Sequence, residues 1–196
     1  MSNELIAITG GIGSGKSMAS RVLGAMGFDV YDCDSRAKEI MDRDVAIHHR
    51  IATEIDSTCV KEGRIDRRRL SEIVFSDKDK LDILNAIVHG AVREDIIRWR
   101  GCHHRHHVIF VETAILYESG LDRMVDAVWE ITAPEELRIT RVGRRSGLDR
   151  DAIRARIAAQ TATVVRNPHP DTIQLVNDGV TPLLPQIECN LRREEL

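Results

Sequence analysis

The stretch LIAITGGIGSGKSMASRVL, Leu5–Leu23, runs from an apolar pentapeptide into a glycine-rich loop and out into a segment with helical spacing. Leu5–Thr9 is short, apolar and partly β-branched, the pattern of a strand buried on both faces. Gly10-x-x-x-x-Gly15-Lys16-Ser17 follows at once. Glycines reach positive φ without steric cost, so consecutive amides can turn inward around an anion. The helix starting at the end of the loop adds unpaired N–H groups and the positive end of its dipole. Lys16 brings a compact charge for β- and γ-phosphates, and Ser17 a hydroxyl able to ligate Mg²⁺. With a strand before it and an amphipathic helix after it, the loop reads as a nucleoside-triphosphate site rather than a plain strand-to-helix turn.

Further runs extend the pattern. VIFVE (Val108–Glu112) and DAVWEIT (Asp126–Thr132) read as buried parallel strands, and FDVYD (Phe28–Asp32) and TIQLVN (Thr172–Asn177) as shorter ones. Between them, Met18, Val22, Leu23 and Met26 make one helical stripe, ended by Gly27 as a C′ residue. Leu81, Leu84, Ile87, Val88, Ala91, Val92 and Ile96 make another, and Asp149 is placed to cap a helix carrying Ile153 and Ile157. Strand and helix in alternation predict a three-layer α/β fold with a parallel five-stranded sheet. Residues 36–100 are nearly all helical, too long for one crossover, and imply a helical insertion. The expected organisation is a single domain: a core of residues 1–35 and 105–196, a helical subdomain over about 36–100 and a lid over about 138–155.

Composition narrows the classes. The chain has 196 residues, 42% of them hydrophobic, enough for a substantial core. A net charge of −3 argues against a general nucleic-acid binder, which carries a basic excess. Four cysteines without CxxC spacing, and no run of about 20 apolar residues, point to reduced thiols and a cytoplasmic protein off the membrane. No obligate protein partner is implied.

Two charged segments bear on what happens to the triphosphate. YDCD places Asp32 and Asp34 at the carboxyl end of the second strand, where open α/β sheets bind ligands, facing a phosphate loop expected on the neighbouring strand. One carboxylate could take a proton from an attacking hydroxyl while the other holds metal or substrate. Alternatively, Asp34 is only the N-cap of the helix running to Met41. In LRITRVGRRSGLDRDAIRARIAAQ, residues 137–160, Arg138, Arg141, Arg144 and Arg145 precede a Ser146-Gly147 break. Arginines on a mobile helix–turn–helix can fold over phosphates and exclude water; the competing reading is cations complementing a helix C-terminus.

These pieces together resemble the dephospho-CoA kinase family. ITGGIGSGKS is close to the family's usual start, and DVYDCDSRAKEIM to its Asp-x-Asp segment. GRIDRRRLSEIVFSDKDKLDILNAIVH (Gly63–His89) resembles its helical CoA-side domain, AILYESGL (Ala114–Leu121) its Pro-Leu-Leu-x-Glu segment, RVGRR to RARIAAQ its lid, and NDG (Asn177–Gly179) its late Asn-x-Gly. The resemblance implies ATP-dependent phosphorylation of the ribose 3′-hydroxyl of dephospho-CoA, with ATP as co-substrate and Mg²⁺ as cofactor. It implies Asp34 as general base and Arg141 as the lid arginine on the transferring phosphoryl, beside Lys16. The nucleotide would be held by Gly11, Ile12, Gly13, Ser14, Gly15, Lys16, Ser17 and Met18, with Arg145 and Asn177. Asp32, Arg68, His89 and Glu118 would lie on the dephospho-CoA side, and Ser17 would meet the metal. The family's Thr is Met18 here, its His-Pro is His89-Gly90, and the proline of its Pro-Leu-Leu-x-Glu is Ala114. Glu112 has no firm counterpart and reads as a metal-side carboxylate or a local structural partner.

Other features fit bland roles. CHHRHH (Cys102–His107) lacks zinc-ligand spacing, His48-His49 suits an exposed helix face, Trp99 and Trp129 suit packing, and LRREEL a frayed helix end. Two rival classes remain at this level: another small-molecule kinase of the same fold, and a binding module or switch. A GTPase is disfavoured by the lack of DxxG and NKxD elements.

Overall fold

The computed structural model describes residues 3–103, 107–162 and 168–194. In chain order the first elements are β1 (Glu4–Thr9), α1 (Lys16–Ala25), β2 (Val30–Asp32), α2 (Cys33–Arg43), α3 (Val45–Glu54), β3 (Val60–Lys61), β4 (Arg64–Ile65) and α4 (Arg67–Ser76). Then come α5 (Lys78–Cys102), β5 (Val108–Glu112), β6 (Ala127–Thr132), α6 (Glu135–Ser146), α7 (Arg150–Ala162), β7 (Thr172–Val176) and α8 (Leu183–Glu194). The chain divides into two compact units, Met1–Tyr31 with His103–Leu196, and Asp32–Cys102.

The first unit is built on a sheet that holds five strands among the described residues, in the order β2-β5-β1-β6-β7. β1 pairs in parallel with β5 and β6, and β6 with β7. β1 is therefore central, which is why Leu5–Ile8 is a continuous apolar run: both faces are buried. Ile6, Ile8, Phe110, Trp129, Ile131 and Leu175 form one face, packed with Ala19 and Leu23 of α1 and Ile187 and Leu191 of α8. Phe110 stacks edge-on to Phe28 at 5.6 Å and lies 5.1 Å from Trp129. The edge of β7 is blocked by Gln186, whose amide accepts from Val176 N (2.8 Å) and donates to Val176 O (2.9 Å), a common way to protect an edge strand.

Two expectations change here. β2 does not neighbour β1, because β5 lies between them. Chain adjacency predicts strand adjacency only about two times in three, and the crossover through α1 skips a place. On α1 the buried residues are Ala19 and Leu23, with Val22 half-buried, while Met18 and Met26 are exposed. Sulfur-containing apolar side chains drew the stripe one position off phase. Gly27 ends the helix with φ of 98°, as a C′ residue should. The glycine of the phosphate loop is constrained as well as permissive: Gly10 has φ of 142°, and a Cβ there would strike the Ile131 carbonyl of β6.

The second unit packs α2 to α5 around Ile47, Ile51, Ile55, Cys59, Leu70, Ile73, Val74 and Ile87, and most of the expected α5 stripe is in this core. Arg36 on α2 grips Asp95 of α5 through Nε (3.0 Å) and Nη2 (2.7 Å). The unit is not wholly helical: β3 and β4 form a short antiparallel hairpin. Its turn, Glu62-Gly63, has φ of 50° and 73°, a pair of left-handed residues matching the twist of tight hairpins. His48 is buried, not exposed, with Nε2 2.8 Å from Met41 O; its neighbour His49 is exposed. No helix among the described residues is long and apolar enough to cross a membrane. Cys33, Cys59, Cys102 and Cys189 are all free thiols. Residues 104–106 of the CHHRHH run, and 195–196 of the C-terminal run, lie outside the described residues.

Candidate active site

The loop between β1 and α1 is held by its carbonyls. Lys16 Nζ donates to Gly10 O at 2.7 Å and Gly11 O at 3.4 Å. Arg138 Nε of α6 donates to Ile12 O at 2.9 Å. Ser14 O accepts from Asn177 Nδ2 at 2.7 Å and from Arg141 Nη1 at 3.3 Å. A loop whose carbonyls are drawn to donors in this way leaves its amides for an anion. Among the described residues, the N–H groups of Gly13, Gly15 and Ser17 meet no acceptor. Gly13 has φ of 77°, and a Cβ there would lie 2.7 Å from Arg138 O. Met18 N is already bonded to Gly15 O at 2.9 Å.

At the mouth of this loop, Ser17 Oγ donates to Glu112 Oε1 at 2.8 Å. Glu112 is the last residue of β5, beside β1 in the sheet, so topology alone brings the two side chains together. On the other flank, β7 is followed directly by Asn177, whose side chain lies over Gly15. Arg141 of α6 donates to Asn177 O (3.0 Å) and Asn177 Oδ1 (3.2 Å). Asp178 fixes the turn that follows, accepting from Val180 N at 2.8 Å and Thr181 N at 2.7 Å; these bonds hold its carboxyl below the ordinary value.

The arginine cluster separates into two pairs. Arg138 and Arg141 are half-buried and turned to the loop, and burial lowers the Arg138 guanidinium from its ordinary value. Arg144 and Arg145 are exposed in the last turn of α6, before Gly147 in the left-handed region. The cluster therefore divides: one pair faces the loop, and the other stands in the last turn of α6, where cations suit a helix C-terminus. α6 and α7 share a small core of Ile139, Val142, Ile153 and Ile157, with Ile12 of the loop packed against it. Asp149 caps α7 through Ala152 N at 2.8 Å. In this structure the pair is tied to the loop through Ile12, a role for Arg138 and for Gln160 that the sequence reading missed. Their types and spacing give no sign of it, because the partner is a backbone group far away in the chain.

In the second unit, Asp32 is the N-cap of α2. Its carboxylate accepts from Asp34 N (3.0 Å), Ser35 N (3.2 Å) and Ser35 Oγ (2.6 Å). Asp34 is exposed in the first helical turn; its backbone N–H is one of the capped groups, but its side chain is not the cap, so the capping alternative applies to Asp32. Arg68 on α4 is paired with Glu72 at 3.1 Å and is 90% exposed along its side chain. His89 lies mid-way along α5. Glu118 is exposed in the segment after β5, in the first unit.

A glycine loop with outward carbonyls, a lysine and a serine at the head of α1, and a central β1 flanked by β5 and β6 define a P-loop phosphotransferase. More narrowly, the chain belongs to the dephospho-CoA kinase family, whose model, described as Dephospho-CoA kinase, matches residues 4–182. A dephospho-CoA kinase of Porphyromonas gingivalis is 38% identical over 156 residues, 79% of this chain and 76% of that protein. One from Fusobacterium nucleatum subsp. nucleatum is 33% identical over 190 residues, 96% and 97% of the two. Among solved structures, TT1252 from Thermus thermophilus is similar with a TM-score of 0.74 and 31% identity, covering 98% of this chain and 96% of that one. The family consists of kinases that use ATP to phosphorylate dephospho-CoA to coenzyme A. The switch and the unrelated-acceptor readings fall away with that membership.

Proposed function

We propose that this chain transfers the γ-phosphoryl group of ATP to the ribose 3′-hydroxyl of dephospho-CoA. The observation that carries the reading is the loop itself: carbonyls of Gly10, Gly11, Ile12 and Ser14 held by donors, with Gly13, Gly15 and Ser17 amides left over. Such a cradle positions a triphosphate and costs no reorganisation when charge shifts during transfer.

In the proposed step the 3′-oxygen attacks the γ-phosphorus, the bond from that phosphorus to the β,γ-bridging oxygen breaks, and ADP leaves. Asp34 takes the proton of the hydroxyl. It is the carboxylate available for this, since the oxygens of Asp32 already serve three hydrogen bonds at the start of α2. Lys16 and Arg141 neutralise charge on the transferring group, the lysine as a compact cation and the arginine as a fork. Arg145, exposed at the end of α6, is assigned to the phosphates from the solvent side, and Asn177 to the base side of the nucleotide. Arg68, His89 and Glu118 are assigned to dephospho-CoA, with Asp32 beside them as the residue that orients Asp34. On this reading Asp32–Cys102 is the dephospho-CoA unit, α6 and α7 form the lid, and the reaction is cytoplasmic and needs no protein partner.

The donor set at the loop fits Mg²⁺. Ser17 Oγ and Glu112 Oε1 are hard oxygens 2.8 Å apart, and Mg²⁺ takes few protein ligands because it keeps most of its waters. These two residues would hold the ion, which when bound would supply positive charge beside the transferring phosphate.

The acceptor position is tested with the 3′-deoxy analogue of dephospho-CoA. It should compete with the natural acceptor and take no phosphoryl group. A phosphorylated 3′-deoxy product would overturn the assignment of the 3′-oxygen.

A further inference from the structure

In the phosphate loop, the carbonyl and the amide of Ile12 are both bonded to side chains. Arg138 Nε of α6 donates to its carbonyl at 2.9 Å, and Gln160 Oε1 of α7 accepts from its amide at 2.7 Å. The donor and the acceptor come from residues 126 and 148 positions further along the chain. The Ile12 side chain is packed against Ile139, Val142, Ile153 and Ile157, the apolar seam of the same two helices. The Arg138 guanidinium lies against Gly11, close enough that a Cβ there would collide with it.

We infer that Arg138 and Gln160 are positioning residues that clamp Ile12 and thereby set the phosphate loop for nucleotide. The reasoning is steric and electrostatic. An amide that is free to turn inward in a glycine-rich loop competes for the anion or swings with its neighbours. Bonding Ile12 N–H outward to Gln160 removes it from that set and fixes the peptide plane between Gly11 and Ile12. Bonding its carbonyl to Arg138 fixes the next plane, between Ile12 and Gly13. With two consecutive peptide planes fixed, the Gly13 and Gly15 amides stand ready before nucleotide arrives, and less ordering entropy is lost on binding. Gln160 suits the task because its amide oxygen accepts without adding a negative charge beside phosphates. Arg138 suits it because Nε is used for the loop while the guanidinium keeps a positive charge at Gly11.

The clamp acts on the loop that holds the β-phosphate, so it supports ATP and ADP alike. This inference rests on the kinase reading for its purpose, but its geometry is tested separately. In the full-length protein without nucleotide, the Ile12 amide should be protected from hydrogen exchange, and Gln160→Met should remove that protection. An unprotected Ile12 amide in the native protein overturns the clamp, whether or not any variant folds and whatever the kinase assay gives. Where Gln160→Met folds, with an unchanged circular dichroism spectrum, its dissociation constants for ATP and ADP should rise together by about three- to tenfold, the worth of one hydrogen bond. Turnover at saturating ATP should change less, as expected when ground-state and transition-state binding are lost equally. Because Arg138 and Gln160 act on one residue, Arg138→Met combined with Gln160→Met should cost less than the two single effects together. Unchanged nucleotide affinity in folded Gln160→Met, or strictly additive losses, would overturn the proposal.

Discussion

The Ser17 hydroxyl donates to the Glu112 carboxylate across 2.8 Å, joining the head of α1 to the end of β5. If this pair serves the metal, Glu112→Gln should raise the Mg²⁺ concentration needed for half-maximal activity by about 10- to 100-fold. Affinity for metal-free ADP should stay near native. Activity titrated against Mg²⁺ at fixed ATP makes the comparison, and an unchanged Mg²⁺ requirement would reduce Glu112 to a structural partner of Ser17.

Asp32 and Asp34 separate cleanly by substitution. Asp34→Asn should lower kcat by roughly 10²- to 10⁴-fold, the usual worth of a positioned base, with ATP affinity kept. Asp32→Ala should remove the cap of α2 and cost about 1 kcal/mol of stability. Thermal melts and steady-state kinetics on both variants give the answer. Near-native turnover in Asp34→Asn would move the proton to another acceptor.

Arg141 spans Ser14 O, Asn177 O and Asn177 Oδ1. Arg141→Ala should reduce kcat by about 10²- to 10³-fold while ATP still binds, because its charge counts most when the phosphoryl group is in transit. Lysine should rescue poorly, since a point charge cannot reproduce the fork. Single-turnover rates at saturating ATP read this out, and a variant with unaltered rate would leave Arg141 as a structural tie only.

Glu136, in the first turn of α6, accepts from Arg150 and from Arg154 of α7, and these bonds hold its carboxyl below its ordinary value of 4.5. The folded pKa is depressed, so the stabilisation is present above the unfolded value and is lost as pH falls through the folded one. Glu136→Gln should therefore melt slightly below the native protein at pH 7 and merge with it under more acid conditions. The gap stays small because all three side chains are exposed. A constant gap at every pH would contradict the ion-pair origin.

Much of the fold was legible because buried parallel strands carry their own signal. VIFVE matches β5 residue for residue, and the stripe from Leu81 to Ile96 lies on α5. Strand order was not legible, since nothing in FDVYD says that β5 stands between it and β1. The phosphate loop could be read from its glycines, Lys16 and Ser17 because their spacing is itself the chemistry. Glu112, Arg138 and Gln160 were harder. Each acts on a group brought near by topology, and their types alone suit any surface. The cap offers the same lesson at shorter range: Asp32 and Asp34 are both good N-cap residues, and only backbone geometry at Asp32, with φ of −89° and ψ of 104°, decides between them. His48 and His49 make the point on α3, where one helical step of 100° separates a buried ring from an exposed one.

Product stoichiometry decides whether the phosphoryl group of ATP goes to dephospho-CoA. The purified protein, incubated with Mg-ATP and dephospho-CoA, is followed by chromatography for ADP and by mass spectrometry for coenzyme A. ADP and coenzyme A should form one for one, with neither product appearing in Lys16→Ala at a comparable rate. ADP released without coenzyme A would contradict the account.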